Sequence, residues 1–302
     1  MISLVTGVGG FVGPYLAAHL NSAGHKVFGI ERHPRQVPGC EIIKCDVTDL
    51  AALDSGVRDV RPDFVFHLAA VSSVSATAQD PDSANRVNVG GTKNLLSSVQ
   101  RHSPKASVLV VSTAHVYGIP VRLPISESHP AKPVSAYGRS RLGQEEVAAC
   151  FARAGLRVII SRSFNHTGPG QPPGFVCSDF ARQVAAIEKG AEPVMKVGDL
   201  SSRRDFTDVR DVVQAYLLAL QKCSPGIYNV CSGKAYSGRE ILDIFLQMSD
   251  RKIRVAESRP EREGDIPALV GDNSKFVAAT GWSPSIPFRQ TLSEVLDYWR
   301  GR

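Results

Sequence analysis

The chain has 302 residues, 43% of them hydrophobic and 21% charged, the balance of a soluble globular protein long enough to bury a large core in one big domain or two closely joined ones. No apolar run approaches the roughly 18 residues of a membrane helix, so no membrane partner is expected. The net charge of +6 comes without a basic block or a nucleic-acid motif, and it points to a phosphate-bearing small ligand in preference to nucleic acid.

The opening stretch MISLVTGVGG enters a strand at once, which leaves no room for a signal peptide and leads us to expect a cytoplasmic protein. Short apolar runs then alternate with amphipathic stretches: ISLVT, a helix from about Phe11 to Ala23, KVFGI, EIIKC, DFVFHLA, a helix around Asn94–Val99, SVLVVS, a helix carrying Tyr137, and RVIIS. Strands that are apolar throughout are covered on both faces. Their alternation with helices predicts an α/β fold, a Rossmann-type doubly wound parallel sheet.

Beyond about residue 164 the pattern loosens. Pro and Gly cluster in HTGPGQPPG, and helices near 176–189, 208–222 and 237–249 are separated by short strands such as IYNVC and KIRVA. We expect residues 1–163 to form a dinucleotide-binding domain. Residues 164–302 would form mainly a smaller mixed α/β substrate lobe, with the chain crossing back to the sheet. Asp208 and Asp211 are expected to cap the helix that follows them. The six cysteines include no C-x-x-C pair and fall in predicted strands or helices, so neither a disulfide framework nor a metal site is expected.

TGVGGFVG places Gly7, Gly10 and Gly13 between the first strand and the first helix, with Phe11 and Val12 among them. Glycines there permit a tight turn and let a pyrophosphate approach the backbone, and the helix N-terminus favours its charge. Glu31 ends the second strand, where an acid can accept hydrogen bonds from the adenosine ribose. Asp46, followed by Val47, ends the third, within reach of the adenine edge. Glu31 repels a 2′-phosphate and favours NAD, whereas Arg32 and Arg35 could clamp one. The choice between NADP and NAD stays open, with the two arginines tipping it toward NADP.

Thr6–Gly13, HLAA at His67–Ala70 and NVGGTKNLL from Asn88 together resemble the extended short-chain dehydrogenase/reductase family over nearly the whole chain. The resemblance implies that Leu68, Ala69 and Ala70 line the cofactor cleft and that Asn88 kinks a helix. It makes Thr113, four residues before Tyr117 in VSTAHVYG, the hydroxyl that binds a substrate carbonyl, and Tyr137 the proton donor. Sugar-nucleotide dehydratases of this kind carry an acid two residues before YG; here Ala114 and His115 stand in that stretch. Without a carboxylate there, a dehydratase is not expected, and His115 is assigned to the substrate side.

The family's cation four residues after the tyrosine is Lys, and here it is Arg141. Positions i and i+4 share a helix face. Arg favours a neighbouring phenolate as Lys does, but it gives up no proton, and its planar fork arranges its hydrogen bonds differently. Both a working site and a module that only binds nucleotide fit that exchange; the intact Thr113 and Tyr137 favour the first.

RSFNHTGPGQ (Arg162–Gln171) is similar to the stretch found in GDP-mannose dehydratases and their partner reductases, as are RRDF at Arg203–Phe206 and REGDIP from Arg262. That likeness gives Asn165, Arg204 and Arg262 as contacts to a substrate diphosphate, with Arg259 the alternative to Arg262; arginine grips phosphate oxygens bidentately. The implied activity is reduction of the C4 keto group of a GDP-4-keto-6-deoxy-hexose with NAD(P)H, in a homodimer. A nucleotide-sugar epimerase with retained NAD is the rival.

Overall fold

The computed structural model describes residues 1–258 and 266–302. The first half runs β1 (Ile2–Thr6), α1 (Val12–Ser22), β2 (Lys26–Glu31), β3 (Cys40–Lys44), α2 (Leu50–Val60), β4 (Phe64–His67), the short helices α3 (Val74–Gln79) and α4 (Pro81–Asn85), α5 (Gly91–His102), β5 (Ser107–Thr113), α6 (Ala136–Arg153) and β6 (Arg157–Ser163). Then come β7 (Asn165–Thr167), α7 (Val176–Glu188), β8 (Val194–Val197), β9 (Arg203–Asp208), α8 (Val209–Lys222), β10 (Gly226–Val230), β11 (Ala235–Ser237), α9 (Gly238–Gln247), β12 (Arg254–Glu257), β13 (Ala268–Leu269), α10 (Ser274–Thr280) and α11 (Phe288–Arg300).

Seven strands in the order β3-β2-β1-β4-β5-β6-β10 form the main sheet, and every neighbouring pair is parallel. One face packs on α1 and α8 through Leu16, Leu20, Val212 and Tyr216. The other packs on α2, α5 and α6 through Leu53, Val57, Leu95, Leu96 and Ala148. Burial on both faces explains why the strands read as unbroken apolar runs. The order reverses between β1 and β4, so a crevice opens at the C-terminal ends of those strands.

Three elements of the second half serve this sheet: α8 lies against α1, β10 adds the seventh strand beside β6, and α10 packs on α8 and β10 through Phe276. The rest is a smaller lobe. β9 pairs with β7, β11 and β13, β8 pairs with β12, and α7, α9 and α11 enclose a separate apolar core around Phe180, Phe245 and Leu292. Asp208 is the N-cap of α8, its carboxylate accepting from the Arg210 N–H at 2.8 Å. Asp211 departs from the expectation that it caps the same helix. It accepts instead from Ser285 and Ile286, tying the segment before α11 to α8.

The backbone winds as a π-helix over Arg86–Gly90 before α5. Asn88 lies in that wider turn, where its amide bonds both backbone groups of Val71 and the Ser140 hydroxyl. The kink thereby joins the loop after β4 to α6. The other face of α6 carries Glu145, whose carboxylate takes a bidentate bond from Arg162 in β6 (Nη2 to Oε2, 2.7 Å) and another from the Ser112 hydroxyl in β5. Both charged side chains are buried.

Removing one partner of such a pair leaves the other charge desolvated. Glu145→Ala is expected to lower the unfolding free energy by about 3–5 kcal/mol. Glu41→Ala, which breaks an exposed pair with Lys26, should lower it by less than about 1 kcal/mol. Urea denaturation of the two variants beside the parent measures the contrast.

Candidate active site

The glycine loop sits where the strand order reverses. Gly7 turns at φ 68°, and a Cβ on it would come within 2.8 Å of the Ala69 Cα. A Cβ on Gly13, at the start of α1 beside Val12, would overlap the Val8 carbonyl. The Gly10 N–H closes the turn on the Gly7 carbonyl at 3.0 Å. Gly7 thus packs directly on Leu68 and Ala69, and the turn has no room for a Cβ at Gly7 or Gly13.

Glu31 ends β2, and its carboxylate accepts the Gly9 N–H at 2.8 Å. The Arg35 side chain reaches the same glycine: a Cβ on Gly9 would lie 3.0 Å from Arg35 Nε. Arg32 stands 3.8 Å from the Asp46 carboxylate. Burial works against the charge on Asp46, yet hydrogen bonds from Thr48 and the nearby Arg32 hold its carboxyl below the usual range. Val47 is buried beneath, against Gly91. An acid and two arginines therefore share the β2 end of the crevice, which is why the sequence gives conflicting signals about a 2′-phosphate.

At the end of β5, Thr113 begins a 3₁₀ turn and its hydroxyl accepts the His115 N–H at 3.3 Å. The Ser135 hydroxyl caps α6 on the Gly138 N–H. Gly138 is obligatory at this junction, because a Cβ would lie 2.7 Å from the His115 carbonyl. This close approach sets Tyr137 edge-on to the His115 ring, with centroids 5.5 Å apart. Arg141 follows one turn later, with Cζ 5.4 Å from the Tyr137 ring centre. Its Nη1 donates to the Val111 carbonyl at 3.2 Å and to Gln144 at 3.0 Å, and its Nε is a buried donor without an acceptor.

The lobe reaches this point from the other side. Asn165 pairs with Phe206 in the β7–β9 register, two residues beyond Arg204. Burial, with the Arg204 charge as second cause, pushes the His115 imidazole down to about 4. His115 is therefore a neutral ring set against Tyr137. Phe11 of the glycine loop stacks on His166 of β7, with planes 6° apart. Arg262 and its alternative Arg259 lie outside the described residues.

Reading by motif passed over Gln144 and Glu145. Glu145 stands four residues after Arg141 and eight after Tyr137, on one helical face. That spacing is the signal that could have found it.

Residues 4–295 match the GDP-mannose 4,6 dehydratase family. The chain belongs to that family. A GDP-6-deoxy-D-mannose reductase of Pseudomonas aeruginosa is 32% identical over 99% of this chain and 97% of its own length. The solved structure of RMD from Pseudomonas aeruginosa complexed with NADPH superposes with a TM-score of 0.87 at 30% identity, covering 100% of this chain and 99% of the other. A UDP-glucose 4-epimerase of Thermus thermophilus in complex with NAD gives 0.90 at 29%, with the same coverage. The extended short-chain dehydrogenase/reductase fold expected from the motifs is thus the fold found. A family named for dehydration includes this member, which has Ala114 and His115 in the turn before Tyr117 and Gly118.

The His115 shift has a consequence for stability. The folded chain keeps this ring neutral down to about pH 4, whereas an unfolded chain protonates it near its ordinary 6.5. Between those values the unfolded state binds the extra proton, so stability is lost as the pH falls. His115→Gln removes that contribution. Melting temperatures followed from neutral pH downward should decline less steeply in the variant than in the parent.

Proposed function

We propose that the protein is a nucleotide-sugar oxidoreductase that reduces the C4 keto group of a GDP-4-keto-6-deoxy-hexose with NAD(P)H. The observation that carries this reading is the cluster at the end of β5. The Thr113 hydroxyl, the Tyr137 phenol and the fixed charge of Arg141 stand together beside the glycine crevice, with a neutral His115 among them. The crevice fits a dinucleotide on two counts: the cradle excludes any Cβ at Gly7 and Gly13, and the buried Arg141 Nε lacks an acceptor.

A bound nicotinamide supplies hydride in this reading. Thr113 Oγ1 hydrogen-bonds the substrate carbonyl and sets its plane. Tyr137 Oη gives the proton that the new alkoxide takes up, and the positive charge of Arg141 offsets the phenolate left behind. Asn165 and Arg204 hold the diphosphate, with Arg262 as a third contact. The NADPH complex of the Pseudomonas aeruginosa relative and the Arg32–Arg35 pair beside Glu31 support NADP over NAD.

The test is oxidation of NADPH and of NADH in the presence of GDP-4-keto-6-deoxy-mannose, with the product identified by NMR. Turnover with NADPH is expected, and Tyr137→Phe should lower kcat by about 10²–10⁴-fold, the range of a positioned proton donor. Glu31 gives the rival its footing, because an acid at the ribose suits an unphosphorylated cofactor. Protein purified with tightly held NAD, interconverting two sugar epimers without net oxidation, would replace the reductase with an epimerase.

Cofactor preference has its own check. Arg35→Ala is expected to raise KM for NADPH by about tenfold, the scale of one charge-assisted contact, and to leave KM for NADH nearly unchanged. Steady-state kinetics with both cofactors would show it.

A further inference from the structure

A buried chain of hydrogen bonds runs from the glycine loop to α6, and chemistry assigns every donor in it. Thr92 Oγ1 has one proton, which goes to the Asn88 carbonyl at 2.6 Å. Toward its other neighbours it must accept: from Gln144 Nε2 at 3.1 Å and from His67 Nε2 at 2.9 Å. His67 is therefore protonated on Nε2. Its Nδ1 accepts from the Thr6 hydroxyl at 2.7 Å, and Thr6 Oγ1 accepts the Ala69 N–H at 3.2 Å. With Nε2 of Gln144 given to Thr92, its Oε1 is the acceptor for Arg141 Nη1.

Thr6, His67, Thr92 and Gln144 are all fully buried. Burial, then the Arg141 charge, pushes the His67 imidazole down to about 3, so the assignment holds at any working pH.

Arg141 is 5% exposed, and a buried guanidinium needs acceptors for its fork. Glu145, one turn away on the same helix, is taken by Arg162 and Ser112. Among the described residues Arg141 forms no ion pair with a carboxylate. Neutral oxygens, Gln144 Oε1 and the Val111 carbonyl, hold Nη1. Nε is left without an acceptor.

We propose that Gln144 is the positioning residue for Arg141: its amide oxygen, oriented through Thr92 and His67, anchors Nη1 and thereby fixes the guanidinium beside Tyr137 for a bound dinucleotide. An ammonium would offer one nitrogen for anchor and ligand alike, whereas the guanidinium divides the two. Arginine works at this position because a glutamine stands three residues further along the helix. The inference rests on the cleft being a nicotinamide dinucleotide site, and it holds whichever sugar is the substrate.

A double-mutant cycle between Gln144→Met and Arg141→Met tests it. The readout is the NADPH dissociation constant from nicotinamide fluorescence, which needs no sugar, with melting temperatures confirming that each variant folds. With Arg141 present, Gln144→Met is expected to weaken binding by about tenfold, the scale of one hydrogen bond to a charged group. In the Arg141→Met background the same change should cost less than about twofold, because nothing remains to be positioned. Equal losses in both backgrounds would make Gln144 a packing residue and overturn the proposal.

If Gln144→Met does not fold, Thr92→Val takes its place in the cycle, since it removes the acceptor that orients the amide at little change in shape. The same dependence on Arg141 is expected, and its absence overturns the proposal equally. Failure of the parent to bind either NADPH or NADH would overturn the dinucleotide reading and this inference with it. Binding without turnover of the keto sugar would sink the reductase alone.

Discussion

The Glu145 carboxylate joins three elements of the main sheet layer. It accepts three bonds from Nε and Nη2 of the Arg162 guanidinium in β6 and one from the Ser112 hydroxyl in β5, and it hangs from α6. Arg162 in turn lies over the Tyr117 ring, with Cζ 4.7 Å from its centre, and the Tyr117 hydroxyl donates to Asn229 at the end of β10. The roll and height of α6 are thereby set against three adjacent strands. Tyr137 and Arg141 are two turns and one turn toward its N-terminus, so their positions follow. A buried ion pair is weak evidence for net stability, because desolvation offsets much of its attraction. Its value here is geometric, since a hydrophobic replacement could fill the volume but could not specify the register of α6 on β5 and β6.

A second carboxylate does comparable work between the two parts of the chain. Asp205, next to Arg204 in β9, accepts from Ser232 twice, from Gly233 and from Gly271. Burial still outweighs those bonds and raises its pKa. The loop that leaves β10 is fixed to the lobe strand carrying Arg204. Near the other end of the crevice the Tyr15 hydroxyl of α1 donates to the Pro169 carbonyl at 2.7 Å, and Phe11 stacks on His166. The loop and helix that follow β1 are thus tied to β7 and the segment after it by two contacts.

Much of this was legible in the sequence where the cause is local. A glycine that must turn at positive φ, a strand buried on both faces and a capped helix each leave their mark within a few residues, so β1, the Gly7–Gly13 loop, α6 and most strands stand where the pattern puts them. The pairs that hold the site do not. Gln144 with Thr92, Glu145 with Arg162 and Asp205 with Ser232 join residues far apart in the chain, and their types are common on any helix or strand. Asp211 shows the limit in miniature: next to a helix start it reads as a cap, but its carboxylate goes to Ser285 and Ile286, more than seventy residues away. Arg141 reads as a defect when compared with a motif and as one half of a pair once Gln144 is seen beneath it.

The place of β10 bears on how the protein is made. β6 is the sheet's outer strand until β10 pairs with it, and between the two in sequence lie β7, α7, β8, β9 and α8. A ribosome that has released β1 to β6 has produced a nearly complete sheet whose β6 edge is bare, a row of unpaired amides and carbonyls open to any passing strand. Closing it requires a parallel pairing across a long intervening stretch, the kind of contact that forms slowly. The interval between those two events is when this chain is most exposed to aggregation.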